Sequence, residues 1–186
     1  MQSLADTNKA LLMADFAKDD DYQISESYSG LRDMVFNLTF DKIGMAPKQP
    51  DEVWGLLMET GYPKAVATLL ALADGTVSLY FSNGGGLIGL GAHRKPAEAA
   101  RAFLIASQQF VKQAEPVAGH PLPRPGFTRF YMLTPNGALT SEASENDLGN
   151  NRHPFSPLFQ KGHAVIGAMR QYNESPRSQD GNNVPK

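Results

Sequence analysis

Several residue types and patterns are missing from this sequence, and each absence removes a class of function. None of the 186 residues is cysteine, so disulfides, thiolate metal ligands and thiol nucleophiles are excluded together. With 17 Lys and Arg against 19 Asp and Glu, the net charge of -2 lacks the basic excess of a general nucleic-acid binder. The longest apolar stretch, residues 65–73, falls well short of the roughly 20 residues that a bilayer span requires. We therefore expect neither a nucleic-acid partner nor a membrane-spanning helix.

Composition and length favour one globular domain with short extensions. Hydrophobic residues make up 41% of the chain and charged residues 19%, which is enough apolar side chain for one packed core. Residues 1–6 contain an acid and no basic group, unlike the start of a secretory signal. Together with the missing cysteine, this predicts a cytoplasmic protein.

Residues 1–45 are predicted to form a helical N-terminal extension. A first helix is expected over residues 3–17 behind Ser3 as N-cap. Further on, a second helix with one apolar side is predicted from four residues at helical spacing, Leu31, Met34, Val35 and Leu38. This side either packs on the main core or binds a partner, and packing is favoured because most such stripes are core.

Residues 50–172 are predicted to form the α+β core domain. Apolar residues at helical spacing within 51–60, followed by Gly61, predict a helix that includes Trp54. Residues 65–73 and 76–82 are strand-like and flank Asp74-Gly75, a pair typical of a β-hairpin turn. The glycine-rich residues 83–91 either extend the sheet after a bulge or form a loop.

The second half of the core predicts another hairpin between two helices. Pro96 fits the first residue of a helix that runs to about Gln113, whereas four prolines within 115–126 exclude helix there. Residues 127–134 and 138–144 are predicted strands around the turn Pro135-Asn136-Gly137. A last helix begins at Ser156-Pro157 and ends near Tyr172, and residues 173–186 are expected to be a disordered tail.

This order of elements is similar to that of the roadblock group and the wider profilin-like folds. The resemblance covers about two thirds of the chain and rests on residues 65–82, on the Ala-rich helix from Pro96 and on the arms around Asn136-Gly137. It implies an antiparallel sheet of two hairpins packed by helices. It also implies a dimerising platform for a regulatory protein partner, commonly in GTPase or motor systems, and no functional residue is transferred from it.

The glycine-rich segment is one candidate binding site. Gly84, Gly86 and Gly89 satisfy G-x-G-x-x-G around Gly85, but no helix opens at the third glycine and no Gly-Lys-Ser/Thr follows, so a sharp turn is favoured over a phosphate site. If an anion binds there, the adjacent donors are His93, Arg94 and Lys95, for which a solvated cluster is the favoured alternative.

The loop that holds Arg152 and His153 is the second candidate. It is long and rich in donors, but an ion pair of Arg152 with Glu142, Glu145 or Asp147 is favoured over an active site. The four histidines are spaced too widely for a compact zinc motif, and His163 is expected to be a hydrogen-bonded residue at the edge of the core. No G-x-S-x-G occurs, so no catalytic residue, metal or cofactor is predicted.

Taken together, these observations favour a non-catalytic binding or regulatory module that acts through protein–protein interaction and forms a homodimer. The alternative is an enzyme that binds a small ligand or nucleotide at residues 84–91, with help from Arg152 and His153 if the loops converge. A third possibility is a subunit that docks on another protein through its N-terminal extension or through residues 121–125.

Overall fold

The computed structural model describes residues 22–174, which form an α+β fold. The helices are α1 (Glu26–Phe36), α2 (Arg94–Ser107), α3 (Glu145–Gly149) and α4 (Ser156–Glu174). The strands are β1 (Gly55–Gly61), β2 (Val66–Leu72), β3 (Val77–Phe81), β4 (Gly86–Leu87), β5 (Glu115–Pro116), β6 (Phe127–Thr134) and β7 (Gly137–Ser144). Short 3₁₀ turns span Phe40–Ile43, Leu90–Ala92 and Gln108–Gln113. The predicted helix over 3–17 and residues 175–186 of the predicted tail lie outside the described residues.

The strands form one seven-stranded sheet in the order β4-β3-β2-β1-β6-β7-β5, and all its ladders are antiparallel. The antiparallel α+β prediction is therefore confirmed. Both predicted hairpins are present, with Asp74-Gly75 and Pro135-Asn136 at their turns. The sheet is larger than two hairpins, however, because β1 lies between them and pairs with β2 on one side and β6 on the other.

The helix predicted over residues 51–60 is wrong, because this segment contains strand β1. Leu56, Leu57 and Met58 are all buried, since elements cover both faces of the sheet at this central strand. A strand buried on both faces has a continuous apolar run rather than alternation, and such a run also satisfies helical spacing. Gly55 is required by close packing, because a Cβ there would lie 2.9 Å from side-chain atoms of Leu72 and Leu133.

The glycine-rich segment extends the sheet by two residues and then leaves it. Gly86 pairs with Tyr80 at φ 153°, and a Cβ there would lie 2.4 Å from the Leu79 carbonyl oxygen. The chain then turns back toward the β2–β3 turn, where the position of a Cβ on Gly91 would overlap the Gly75 carbonyl oxygen. Glycine is needed here for a tight backbone approach.

One face of the sheet is covered by α2 and α4. The predicted inward residues of the first of these helices, including Ala100, Phe103 and Leu104, are buried in an apolar cluster with Leu158 and Val165 of α4. Both predicted helices are present, but the first begins at Arg94 rather than Pro96 and its end tightens into the 3₁₀ turn Gln108–Gln113. The last helix continues through Glu174, so the prediction of a disordered tail is wrong for residues 173 and 174.

The opposite face is covered by α1 and by the Pro-rich residues 117–124. Ser25 caps α1 by accepting a hydrogen bond from the Tyr28 amide at 3.2 Å, and its own amide bonds the Ser82 carbonyl at 2.7 Å. Tyr28 and Val35 are buried against the sheet, so this helix packs on the core, which is the alternative that the sequence favours. Met34 is 58% exposed and does not belong to the buried side of the helix. Within residues 22–174, no helix combines the length and apolarity needed to cross a bilayer.

Candidate functional site

A row of polar side chains crosses the face of the sheet that α1 covers. In register, Tyr80 of β3 lies opposite Thr68, Thr68 opposite Glu59, Glu59 opposite Arg129, and Arg129 opposite Glu142 of β7. Directly opposed residues in antiparallel strands point to the same face, so these five side chains form one line across five strands. We call them the polar row.

Glu59 is the centre of the polar row and is fully buried. Arg32 of α1 donates to both carboxylate oxygens, from Nε to Oε1 at 2.8 Å and from Nη2 to Oε2 at 2.9 Å. The Thr68 hydroxyl donates to Oε1 at 3.2 Å and lies 3.0 Å from the Tyr28 hydroxyl. The buried carboxylate is therefore hydrogen-bonded from the helix and from the neighbouring strand, as a buried charge requires.

Three tyrosines surround this ion pair and stay protonated at neutral pH. Burial, and then the charge of Glu59, raises the pKa of Tyr28 and of Tyr80, and the same two causes raise the pKa of Tyr131 to about 12. The Tyr80 hydroxyl is buried and has no hydrogen-bond partner among the described residues. Burial by itself would lower the pKa of Arg32, but its hydrogen bonds to Glu59 raise it above the ordinary value.

A cavity of about 320 Å³ opens beside this network, at the end of the sheet where β1 begins and β6 ends. We call it the Trp54 cavity. Its walls come from four separate stretches of the chain: Phe36, Leu38, Thr39, Phe40, Trp54, Val117, His120, Leu133, Thr134, Pro135, Gly137 and Ala138. None of these residues is an acid, a lysine or an arginine.

Backbone hydrogen bonds position the cavity walls. The Trp54 amide bonds the Leu133 carbonyl at 3.0 Å, and the Trp54 carbonyl accepts from the Ala73 amide at 2.9 Å. Trp54 is therefore held at the end of the central strands. The Pro-rich segment is fixed by the Val117 amide, which bonds Ala138, and by the Tyr131 hydroxyl, which donates to the Pro121 carbonyl.

His120 and Phe36 form a stacked pair in the wall of the cavity. Their ring centroids lie 3.7 Å apart with an interplanar angle of 13°. Burial, and then the charge of Arg32, lowers the pKa of His120 below its ordinary value of 6.5, so the ring is neutral at neutral pH. Trp54 is buried, and its indole N–H has no acceptor among the described residues.

The structure places the two halves of the predicted glycine-rich binding site at opposite ends of strand β3. Gly84 and Gly85 form the turn after β3, whereas residues 90–93 lie at the other end of that strand, beside Gly75. At about 3.3 Å per residue, the ends of this five-residue strand are about 13 Å apart. His93, Arg94 and Lys95 instead line a surface cleft of about 400 Å³ with Tyr172 of α4, whose ring stacks on His93 at 3.7 Å.

Arg152 and His153 belong to neither cavity. The predicted ion pair of Arg152 is confirmed with Asp147, at 2.9 Å. His153 accepts a hydrogen bond from the Phe155 amide through Nδ1 at 3.2 Å, which fixes the loop before α4. This loop follows α3, which comes directly after β7, whereas the glycine turn follows β3; β7 and β3 are four strands apart, which at about 4.8 Å per strand separates them by about 19 Å. The two predicted loops therefore do not converge, and ligand binding by either stays a prediction.

His163 of α4 lies on the other side of the sheet and is half-buried, which agrees with the predicted position at the edge of the core. Its ring meets Phe159 edge-on at 4.3 Å, but its Nε2 atom is buried without a hydrogen-bond partner among residues 22–174. The described part of the chain contains no group of three or more His, Asp or Glu side chains placed to hold a metal ion.

Comparison of the chain with protein-family models, with curated proteins and with solved structures found no match. The resemblance to the roadblock group, the protein partner and the homodimer therefore stay predictions from the sequence.

The sequence does not single out the residues that build the site. It predicts Trp54 and Glu59 only as parts of a helix, where Glu59 would be an ordinary surface acid, and no motif points to Arg32. One signal was present: Glu59 follows three consecutive apolar residues, and a carboxylate inside a buried run needs a cationic or hydrogen-bonding partner. The pairing of Arg32 with Glu59 follows only from the fold.

Proposed function

We propose that this chain is a binding module that takes a small, flat, uncharged molecule into the Trp54 cavity. The observation that carries the proposal is the chemistry of the wall, which is aromatic and aliphatic and bears no charged side chain. Ligand pockets in proteins are typically concave and mostly apolar, with a few polar groups that orient the ligand.

The size and shape of the cavity support a compact ring system as ligand. A volume of about 320 Å³ is at the lower end of the roughly 300–1,000 Å³ typical of ligand pockets. Trp54, Phe36 and His120 line the cavity with aromatic rings, which favour offset or edge-to-face contact with another ring. Thr39 and Thr134 are the hydroxyl-bearing residues of the lining, and the Thr134 hydroxyl donates to the Gly137 carbonyl at 2.8 Å.

The electrostatics favour a neutral ligand. His120 is uncharged at neutral pH, and the charge of Arg32 is compensated by both oxygens of Glu59. An ionic ligand would lose its hydration in this cavity without gaining a partner of opposite charge, which is unfavourable.

The test is fluorescence titration with N-phenyl-1-naphthylamine, an uncharged dye that becomes fluorescent in apolar surroundings. Because Trp54 is the single tryptophan of the chain, energy transfer to the dye has one donor and reports that the dye is bound to the protein, and the two variants below locate the site. Ala138→Phe fills the cavity from β7 and is expected to abolish binding. Ala102→Phe places the same side chain on the exposed face of α2 and serves as the matched control.

The expected result is saturable energy transfer in the unmodified protein and in Ala102→Phe, and none in Ala138→Phe. Failure of the unmodified protein to bind the dye, or equal binding by the two variants, would contradict the proposal.

A further inference from the structure

We propose that Arg32 is a positioning residue for the Trp54 cavity, an inference that rests on the function proposed above. Arg32 does not line the cavity. Its guanidinium lies over the ring of Phe36, 4.8 Å from the centroid, and Phe36 stacks on His120 at 3.7 Å. Since Phe36 and His120 both line the cavity, Arg32 supports its wall from behind.

Glu59 fixes the direction of the Arg32 side chain. A planar guanidinium that donates to both oxygens of one carboxylate keeps little freedom to rotate. The carboxylate is fixed in turn by its place on the central strand and by the hydroxyl of Thr68. The support behind Phe36 is therefore anchored in the most buried part of the sheet.

A second contact holds the other side of the stacked pair. The guanidinium of Arg32 also lies 5.8 Å from the ring centroid of Tyr131. Tyr131 meets Phe36 edge-on at 5.0 Å and His120 edge-on at 5.9 Å, and its hydroxyl donates to Pro121, the residue after His120. Arg32 and Tyr131 thus hold the pair in place before any ligand arrives.

Pre-ordering of the wall increases affinity, because the ordering of mobile side chains is an unfavourable part of binding. Without Arg32, Phe36 and His120 are free to change rotamer, and a ligand has to order both rings when it binds. Affinity then falls although no contact to the ligand is lost.

The experiment compares Arg32→Met with Arg129→Met, using the dye titration described above. Methionine keeps much of the length of arginine but removes the charge and the planar group. Arg129 is the matched control, since it lies beside Glu59 in the polar row and, like Arg32, pairs with a mostly buried acid, Glu142, but does not contact Phe36 or His120. We expect Arg32→Met to bind the dye about tenfold more weakly and Arg129→Met to bind as the unmodified protein does.

An NMR readout of His120 needs no ligand. The stacked Phe36 ring shifts the His120 carbon-bound protons upfield, and this shift is expected to shrink in Arg32→Met and to persist in Arg129→Met. The charged groups that face His120 are Arg32, Asp33 and Glu59, so removal of Arg32 leaves two acids and is expected to raise the pKa of His120. A role of Arg32 in general stability alone would leave the ring shift unchanged in the folded protein.

If Arg32→Met does not fold, Arg32→Lys tests the proposal, because lysine keeps the positive charge beside Glu59 but lacks the planar guanidinium group. It is expected to fold, to bind the dye several-fold more weakly and to lose part of the ring shift. Unchanged affinity and an unchanged ring shift in the folded variants would overturn the inference. If the unmodified protein does not bind the dye, the proposed function fails, and the ring shift alone still decides the role of Arg32.

Discussion

The two faces of the sheet are built on different principles. The face under α2 and α4 is mainly apolar and closely packed: Gly162 of α4 lies so near the sheet that a Cβ there would be 2.5 Å from the sulfur of Met58. The face under α1 has apolar residues at its centre but also carries the polar row, a buried ion pair and the Trp54 cavity. The face under α2 and α4 stabilises the fold mainly through buried apolar area and close packing, whereas the face under α1 also contains directional hydrogen bonds and a cavity.

This difference shows where specificity resides in the molecule. Apolar contacts are non-directional, so many sequences satisfy the face under α2 and α4. A buried charge requires one partner in one geometry, and this requirement fixes the position of α1 on the sheet. The position of α1 in turn sets the wall of the cavity through Phe36.

The largest expected effect comes from breaking the ion pair on the α1 side. Glu59→Leu leaves the Arg32 guanidinium mostly buried and without its carboxylate, and we expect the free energy of unfolding to fall by about 3–5 kcal/mol. The double variant Arg32→Met with Glu59→Leu removes both charges and should recover most of this loss. Urea denaturation of the two single variants and the double variant measures the coupling. Additive losses would show that the pair does not act as a unit.

A smaller effect tests the close packing of the other face. Gly162→Ala forces Met58 and Phe103 to shift, and we expect a loss of about 1 kcal/mol, since overpacking outweighs the gain in helix propensity. Gly167→Ala, on the same helix with no atom within 4 Å of the new Cβ, should stabilise the protein by up to about 1 kcal/mol. Thermal denaturation distinguishes the two, and the same sign for both variants would argue against tight packing at Gly162.

The smallest expected effect is the pH dependence of the free energy of unfolding that His163 of α4 contributes. Burial, the largest cause, lowers its pKa in the folded protein below 6.5, so the unfolded chain takes up a proton first as the pH falls. The contribution of neutral His163 to the free energy of unfolding is fully present above about pH 6.5 and is lost as the pH falls toward the lowered pKa.

His163→Gln removes this titration, and we expect a smaller loss of unfolding free energy between about pH 7 and about pH 5 than in the unmodified protein. Urea denaturation at the two pH values measures it. An equal loss in the two proteins would show that His163 does not contribute.

The elements that the sequence predicts well are those whose signals are local. The helix from Pro96 buries the predicted side chains because its apolar residues repeat at helical spacing. The hairpins follow from Asp74-Gly75 and Pro135-Asn136, where a short turn fixes the register of adjacent strands. The ion pair of Arg152 with Asp147 is similarly local, since its members are five positions apart in the sequence.

The site follows from contacts that are distant along the chain. Arg32 and Glu59 are 27 residues apart. The sequence predicts a helix where Glu59 lies in a strand, because a continuous apolar run is compatible with the periodicity of a helix and of a buried strand. His120 and Phe36 meet only because the Pro-rich segment crosses the sheet beside α1. No motif of fixed spacing in the sequence predicts either of these two contacts.

The sequence by itself determined the α+β class, the two hairpins and the helices from Pro96 and Ser156, because turn residues and hydrophobic periodicity act over a few residues. Only the tertiary structure decided that β1 joins the hairpins at the centre of the sheet and aligns Glu59 with its neighbours in the polar row. Strand register is set by pairing across the whole sheet, and a shift of one residue would turn Glu59 to the opposite face.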